Sequence, residues 1–475
     1  MTPRTVAAVD LGATSGRVIL GRVDGGELRL RHVARFPNDP VRIGDGLHWN
    51  LLELYRQVLL GLAAAERDAP GEIASVGIDS WAVDYGLLRG ERLLGVPYHY
   101  RDGRTAAGVA AVHARVDPVA LYGRNGLQHL PFTTLFQLAT EGELLGLADR
   151  MLLIPDLLVH WLTGAVVAER SNASTTGLLD ARTGEWDHEL AATLGIPSRI
   201  LPRLVDAGTP LGLLGADAAA VVGRALPVVA VGSHDTASAV VAIPSMGRDF
   251  AYVSCGTWGL VGLELDAPVL SDAARAANFT NEGGVDGRVR FLHNVMGLWL
   301  LSESLRHWYP ADTDAQRSGT LQELLFDAAR VDERVAIFDV NDPVFSPPGD
   351  VPGRIAAWCA EHGEPVPASR PAFVRSIVES LAAAFADAVA DAASLADRDV
   401  RVIHIVGGGS QNALLCQALA DRSGLVVLAG PVEATAIGNL LVQARALGQI
   451  SGDLGVLRAI VAAATDITRY DPRGV

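Results

Sequence analysis

The sequence predicts an α/β protein of two lobes built on one plan, with a cleft between them. Three observations carry this. The chain opens strand, turn, strand, turn, strand, and then continues helix, strand. The same order recurs from Phe250. A turn of small residues stands at the matching place in each copy, after Asp10 and after Ser254.

Residues 5–10 are apolar and β-branched and read as a strand. Leu11 to Gly16 make a glycine-containing turn, 17–23 alternate, Asp24-Gly25-Gly26 signal a hairpin, and 27–36 alternate again. Residues 51–65 carry Leu52, Tyr55, Leu59 and Leu62 at helical spacing, and 73–79 form a strand ending on an acid. Residues 85–211 exceed the plan and are expected to form an insertion that covers substrate. A strand at 228–231 leads into Gly232-Ser233-His234-Asp235-Thr236. In the second half, 250–254 are a strand, Cys255-Gly256-Thr257-Trp258-Gly259 a turn, 260–265 a second strand and 291–294 a third, followed by a helical pattern at 296–307. A long amphipathic helix over 372–395 places Val374, Ile377, Val378, Leu381, Phe385 and Ala388 on one face. The strand at 402–406 meets Gly407-Gly408-Gly409. A strand at 426–429, Pro431 and a helix from about Ala434 follow. Pro244 and Gly247 break the pattern near 243–248, which divides the chain into 1–244 and 245–475.

The 475 residues include 39 basic side chains, every one an arginine. Without lysine there is no Walker A loop, no Schiff base and no protein-kinase strand lysine. Phosphate chemistry here must use backbone N–H groups, arginines, hydroxyls and a metal. The 54 acids leave a net charge of −15, so nucleic acid and acidic membrane surfaces are not expected partners. Cys255, Cys359 and Cys416 lie far apart, without a CxxC pair. That excludes a zinc ribbon and points to a reducing, cytoplasmic compartment. The apolar run at 6–9 is too short for a signal segment, and no stretch of about 18 apolar residues occurs.

Asp10-Leu11-Gly12-Ala13-Thr14-Ser15-Gly16-Arg17 sits at a strand-turn-strand junction. Its small residues let backbone N–H groups form an anion-binding concavity, Thr14 and Ser15 add hydroxyls, Arg17 a fixed charge, and Asp10 a carboxylate that could hold Mg²⁺ through water. A plain glycine hairpin with a capping Asp explains the same residues. Cys255 to Gly259 repeat the arrangement in the second half. Gly407-Gly408-Gly409-Ser410-Gln411-Asn412 resembles a dinucleotide fingerprint, but Asn412 stands where the third glycine belongs. Asp235 at a helix start reads either as an ordinary cap or as the base that accepts a hydroxyl proton in phosphoryl transfer. Asp79, Trp81 and Asp84, with Tyr98, His99 and Tyr100, read either as a sugar-binding set or as half-buried strand residues.

In this order, these segments resemble the FGGY carbohydrate kinases of the sugar kinase, Hsp70 and actin superfamily. The resemblance spans nearly the whole chain. It rests on DLGATSGR from Asp10, GIDSWAVD from Gly77, PYHYRDGRT from Pro97, LPFTTLFQL from Leu130, SNASTT from Ser171 and SHDTASAV from Ser233. CGTWGLVG, NFTNEGG from Asn278, NVMGLWLL from Asn294, IVGGGSQN and GPVEATAIGN from Gly430 extend it. It implies two ribonuclease-H-like, actin-like ATPase lobes around a nucleotide cleft, and phosphorylation of a small ketose by ATP with Mg²⁺. The implied ketose is L-rhamnulose, with L-fuculose, L-ribulose and D-xylulose as alternatives. Carried over by motif, Ala13, Thr14, Ser15, Gly16 and Arg17 are the first phosphate turn. Thr257 belongs to the second, and Gly408 contacts the adenosine. Asp235 is the proton acceptor, flanked on the sugar by His234 and Thr236, with Asn294 also touching it. A family glycine near the sugar falls on Ala82, and a family glutamine near the nucleotide falls on Ser302. The readings from other classes are an idle nucleotide switch, which needs no base, and a dehydrogenase.

Overall fold

The opening meander forms in the computed structural model, which describes residues 4–24, 27–245 and 247–474. β1 (Thr5–Leu11) pairs antiparallel with β2 (Ser15–Asp24), and β2 antiparallel with β3 (Glu27–Pro37). The two glycines of the hairpin signal, 25 and 26, lie outside the described residues. β4 (Ile73–Ser80) joins β1 in parallel. β5 (Pro210–Leu213) forms the far edge, antiparallel to β6 (Pro227–Val229), which lies parallel to β4. The sheet order is β5-β6-β4-β1-β2-β3.

The chain divides into two compact units. The first takes Met1–Met246, Glu264–Phe291 and Glu433–Thr465; the second takes Gly247–Leu263, Leu292–Val432 and Asp466–Val475. The chain first passes between them beside the boundary expected at 244/245.

In the first unit both faces of the sheet are covered, so β1 is buried at every residue rather than at alternate ones. Helix α1 (Leu51–Asp68) lies on the face of Val18 and Ala34, where a Cβ on Gly61 would come within 2.5 Å of Val18. Its buried side is Leu51, Leu54, Val58, Leu62 and Ala65, and Leu52 is 73% exposed. The face expected from Leu52, Tyr55 and Leu59 is thus rotated, because the close approach at Gly61 decides which side meets the sheet. Helix α2 (Asp235–Val241) carries the proposed base. Residues between β4 and β5 build their own layer: strands Tyr85–Arg89, Arg92–Leu93 and Arg150–Leu153 pair, with helices over a core that includes Leu135, Phe136, Met151 and Leu178.

The second unit repeats the plan. β7 (Phe250–Cys255) and β8 (Trp258–Leu265) are antiparallel, and β9 (Val289–Met296) lies beside β8. β10 (Val402–Val406) joins β7 in parallel, β11 (Val426–Ala429) joins β10 in parallel, and β12 (Thr468–Tyr470) closes the edge antiparallel. The third strand is longer than expected, and helix α3 begins only at Trp299 (Trp299–Trp308). Gly297 explains the delay. A Cβ there would lie 2.5 Å from the Trp258 carbonyl carbon, and Leu298 N–H donates to the Gly256 carbonyl (2.9 Å). These contacts hold the chain against the β7–β8 turn before it can coil. Helix α4 (Arg370–Leu395) starts at the Ser369 cap, and all six residues of its expected apolar face are buried. After Gly407, at φ 79°, comes a 3₁₀ turn (Gly408–Gln411), so helix α5 (Ala413–Ser423) starts later than the glycines, capped by Asn412. Back in the first unit, helix α6 (Ala434–Ala446) covers the face of β1, β2 and β4 opposite α1, where Leu440 fills the space left by Gly21. Among the described residues no helix is long and apolar enough to cross a membrane.

Candidate active site

Parallel pairing of β1 with β4 sets Asp10 opposite Asp79 and Leu11 opposite Ser80. Ser80 in turn bridges to His234, and its N–H donates to the Ser233 carbonyl (2.8 Å). Two strand ends and the start of α2 therefore converge, bringing Asp10, Arg17, Asp79, His234, Asp235 and Thr236 together. Arg17 Nε donates to Asp10 Oδ2 (2.9 Å) and its Nη1 to Glu433 Oε2 (2.7 Å). Burial pushes the Asp10 carboxyl up to about 6. Arg17 opposes that rise, while Asp235 and Glu433 add to it. Asp79 is fully buried and raised well above the usual carboxylate range by burial, with Asp10 and Asp235 contributing. Its Oδ2 accepts from Asn439 Nδ2 (2.5 Å), and its Oδ1 is buried without a hydrogen-bond partner. Gln443 continues the chain from Asn439, donating to the Ala7 carbonyl (3.0 Å) and accepting from Ser75 Oγ (2.7 Å). Gly77 makes room for this network, since a Cβ there would lie 2.6 Å from Asn439 Oδ1.

Asp235 is the first residue of α2, and its side chain is 29% exposed. Three contacts converge on one carboxylate oxygen: Thr236 N–H (2.6 Å) and Thr236 Oγ1 (3.1 Å) donate to Oδ1, and His234 Nε2 lies 3.4 Å from it. A single oxygen is thus fixed, which leaves Oδ2 for a ligand proton. The loop before α2 is fastened from below. Buried Glu169 accepts through Oε2 from Ser233 N (2.9 Å), Ser233 Oγ (2.9 Å) and Ser171 Oγ. Burial raises its carboxyl, and these donors oppose the rise. Helix α2 meets α6 at Gly438, where a Cβ would fall 1.8 Å from the Ser238 carbonyl oxygen.

The turn expected to receive phosphate is open. Thr14 is exposed, and Ala13 and Ser15 are half-buried. Gly12 N–H donates to the Ser15 carbonyl (2.9 Å), and Asn38 Nδ2 to the Gly12 carbonyl (2.9 Å). Gly16 is required by crowding, as a Cβ would lie 2.2 Å from Phe36. Beside it the aromatic set does assemble, but as an interior hub. Asp84 Oδ2 accepts from Trp49 Nε1 (2.6 Å), Trp81 Nε1 (3.1 Å) and Tyr100 N (3.1 Å), and Oδ1 accepts from Gln137 Nε2 (2.8 Å). All are buried, and Trp49 lies against Trp81 and His99 at 4.0 and 4.1 Å. Asp84 is spent on protein donors, so the half-buried structural reading holds for it. Ala82 is half-buried. The next residue, Val83, sits at φ 68°, held by Thr134 Oγ1 donating to its carbonyl (2.6 Å).

In the second unit the β7–β8 turn and the glycine loop adjoin. Gly256 N–H donates to the Trp258 carbonyl (2.8 Å), and Trp299 N–H to the Thr257 carbonyl (3.3 Å). A Cβ on Gly407 would lie 3.0 Å from the Cys255 carbonyl oxygen, and one on Gly408 would lie 3.8 Å from Leu298. Thr257 is half-buried and Gly408 exposed. Ser302 is exposed one helical turn after Leu298, to whose carbonyl its N–H donates (2.9 Å). Asn294 is half-buried on β9. Cys255 and Cys416 are buried free thiols flanking Gly409, and burial raises both, Cys416 to about 12.

Sequence reasoning did not single out Glu169, Glu282, Arg290, Glu433, Asn439 or Gln443. Each sits inside or beside a segment that carries the resemblance, yet each has a partner 48 to 436 residues away. No local spacing reveals such pairs.

Comparison with known proteins decides the family. The N-terminal domain model of the FGGY family of carbohydrate kinases matches residues 5–242, and its C-terminal domain model matches 251–447. The chain belongs to the FGGY family of carbohydrate kinases. Among its relatives, a rhamnulokinase of Pectobacterium carotovorum is 43% identical, covering 100% of this chain and 94% of the relative. One of Bacteroides thetaiotaomicron is 39% identical, covering 98% and 95%. A crystal structure of gluconate kinase from Lactobacillus acidophilus superposes with a TM-score of 0.77 at 17% identity, over 99% of this chain and 94% of that one. This carbohydrate kinase therefore carries the two-lobed α/β fold of its family.

Proposed function

We propose that this kinase transfers the γ-phosphoryl group of ATP to the O1 hydroxyl of L-rhamnulose, with Asp235 as the base. The substrate rests on the two rhamnulokinases, each about two-fifths identical along nearly the full chain. The role of Asp235 rests on its carboxylate: Thr236 holds Oδ1 by two hydrogen bonds, so Oδ2 is the oxygen offered to a hydroxyl. Oδ2 takes the O1 proton as O1 attacks the γ-phosphorus in line, the bond to the β–γ bridging oxygen breaks, and ADP leaves. Asn294 orients the sugar, while the His234 ring faces Arg290 and Asp235. In the first unit the turn N–H groups of 13–16 are assigned to the nucleotide's phosphates; in the second unit Thr257, Ser302 and Gly408 are assigned to the nucleotide. Arg17, already paired with Asp10 and Glu433, sets the field beneath the phosphates.

The residues present suit Mg²⁺. Asp235 raises the Asp10 carboxyl, and Asp10 and Asp235 both raise that of Asp79, an excess of negative charge that a cation relieves. Among the described residues no three His, Cys, Asp or Glu side chains stand close enough to hold a metal directly. Asp10 would therefore hold the ion together with water and phosphate oxygens, the way Mg²⁺ prefers to bind. Bound there, Mg²⁺ supplies charge neutralisation on the phosphates. We place the enzyme in the cytoplasm, which suits its three free thiols.

ADP release with Mg-ATP, measured on L-rhamnulose, L-fuculose, L-ribulose, D-xylulose and glycerol against a no-sugar control, tests the reading. A dominant response to L-rhamnulose is expected. A dominant response to another ketose keeps the chemistry and discards the substrate, with the Ala82 methyl as the first suspect.

A further inference from the structure

The His234 ring meets a different kind of partner at each nitrogen. At Nδ1, Arg290 Nη2 lies 3.0 Å away in hydrogen-bonding geometry, and Glu282 Oε2 lies 3.3 Å away. At Nε2, Asp235 Oδ1 lies 3.4 Å away. A guanidinium only donates and stays charged at any pH the folded protein meets. A hydrogen bond from Arg290 therefore requires a bare Nδ1, and the ring hydrogen must sit on Nε2. The competing arrangement has Nδ1–H donating to Glu282. Its contact is the longer one, and Glu282 Oε2 already has a cation in Arg290 Nη2 at 3.1 Å. Arg290 is also unable to turn away. It is fully buried, and its Nε donates to the Gly283 carbonyl (2.9 Å).

The geometry points to Arg290 as a positioning residue for phosphoryl transfer. It holds His234 in the Nε2–H tautomer, with that hydrogen facing Asp235 Oδ1 across 3.4 Å beside the two Thr236 hydrogen bonds, so that Oδ2 receives the substrate proton. This rests on the reading of Asp235 as the base. The opposite tautomer would set a nitrogen lone pair against the carboxylate and push it off its hydrogen bonds with Thr236. Glu282, 3.1 Å from Arg290 Nη2, balances the buried charge of Arg290.

Nitrogen NMR of the full-length enzyme with ¹⁵N-labelled histidine reads the tautomer directly, with His234 assigned by its loss in His234→Gln. The wild type is expected to show Nε2 protonated and Nδ1 bare; a protonated Nδ1 overturns the proposal. Arg290→Met removes the donor. It is expected to mix the tautomers and lower kcat about 10–100-fold, while KM for ATP stays within about twofold. Arg290→Lys can still donate, and is expected to keep the Nε2–H form and recover most of kcat. An Arg290→Met enzyme that keeps the Nε2–H form with normal kcat overturns the proposal. Should that variant not fold, Glu282→Gln serves: the tautomer is expected to persist, and a flip to Nδ1–H shows that Glu282 set it and overturns the role of Arg290. The tautomer is read without turnover, so failure of Asp235 as the base, seen as normal kcat in Asp235→Asn, registers separately.

Discussion

Gly438→Ala forces apart the two helices that hold Asp235 in place. The added Cβ would lie 1.8 Å from the Ser238 carbonyl oxygen, about 1.5 Å inside an ordinary non-bonded contact. Neither atom can step aside, because the oxygen belongs to the backbone of α2 and the Cβ is fixed to that of α6. Helix α6 is fastened to β1 and β4 through Asn439 and Gln443, both fully buried. The shorter α2 is therefore the element expected to move. Overpacking of this kind costs about 1–3 kcal/mol. A shift of about 1 Å at a reacting group costs on the order of 10² in rate. Steady-state ADP release and a thermal melt on one sample separate the two effects. The expected variant folds with a modestly lower Tm, loses on the order of 10² in kcat, and keeps its KM for ATP within a few-fold. A variant with lowered Tm but normal kcat would refute the claim that this helix contact sets the position of Asp235.

Other perturbations probe the support around the site. The Asp84 carboxyl is raised to about 6 by burial, against four hydrogen bonds, so the folded state binds its proton more tightly than the unfolded chain does. That contribution is fully present below about pH 4 and is lost as pH rises through about 6, about 3 kcal/mol in all. The stability of wild type minus Asp84→Asn, from urea melts, is expected to shrink across that window; a difference flat in pH contradicts the reading. Asn439→Leu keeps the volume but leaves Asp79 Oδ2 without its donor. It is expected to cost about 1–3 kcal/mol, measured the same way, and an unchanged midpoint would show that the hydrogen bond carries no net stability.

Much of the fold was legible because the meander is written locally. Alternation at 17–23 and 27–36, the small-residue turns and the continuous apolar run at 5–10 all lie within a few residues of the structure they specify. The apolar stripe of α4 was legible for the same reason. Three features were not, and each depends on a distant contact. The buried face of α1 follows from Gly61 against Val18, and α3 starts late because Gly297 lies against the β7–β8 turn. The helix after the glycine loop starts late because Gly407, at φ 79°, passes so close to the Cys255 carbonyl that a Cβ would lie 3.0 Å from it, and a 3₁₀ turn follows. Within the candidate site, Asp10, Arg17, His234 and Asp235 stood out because their motifs are short. Arg290 and Glu282 were quoted or adjacent only as parts of a segment, and Asn439 as part of another. What joins them to His234 and Asp79 is the packing of elements far apart in sequence. Asp84 shows the converse: a motif residue that looked available to sugar is occupied by Trp49, Trp81, Tyr100 and Gln137.

The central claim is tested most directly by the turnover of Asp235→Asn with L-rhamnulose and Mg-ATP, alongside ATP binding measured by calorimetry. Asparagine still accepts from Thr236 through its oxygen but cannot take the proton. The expected result is a kcat lowered by about 10²–10⁴ with ATP affinity changed only a few-fold. Near-normal turnover in that variant would contradict the account.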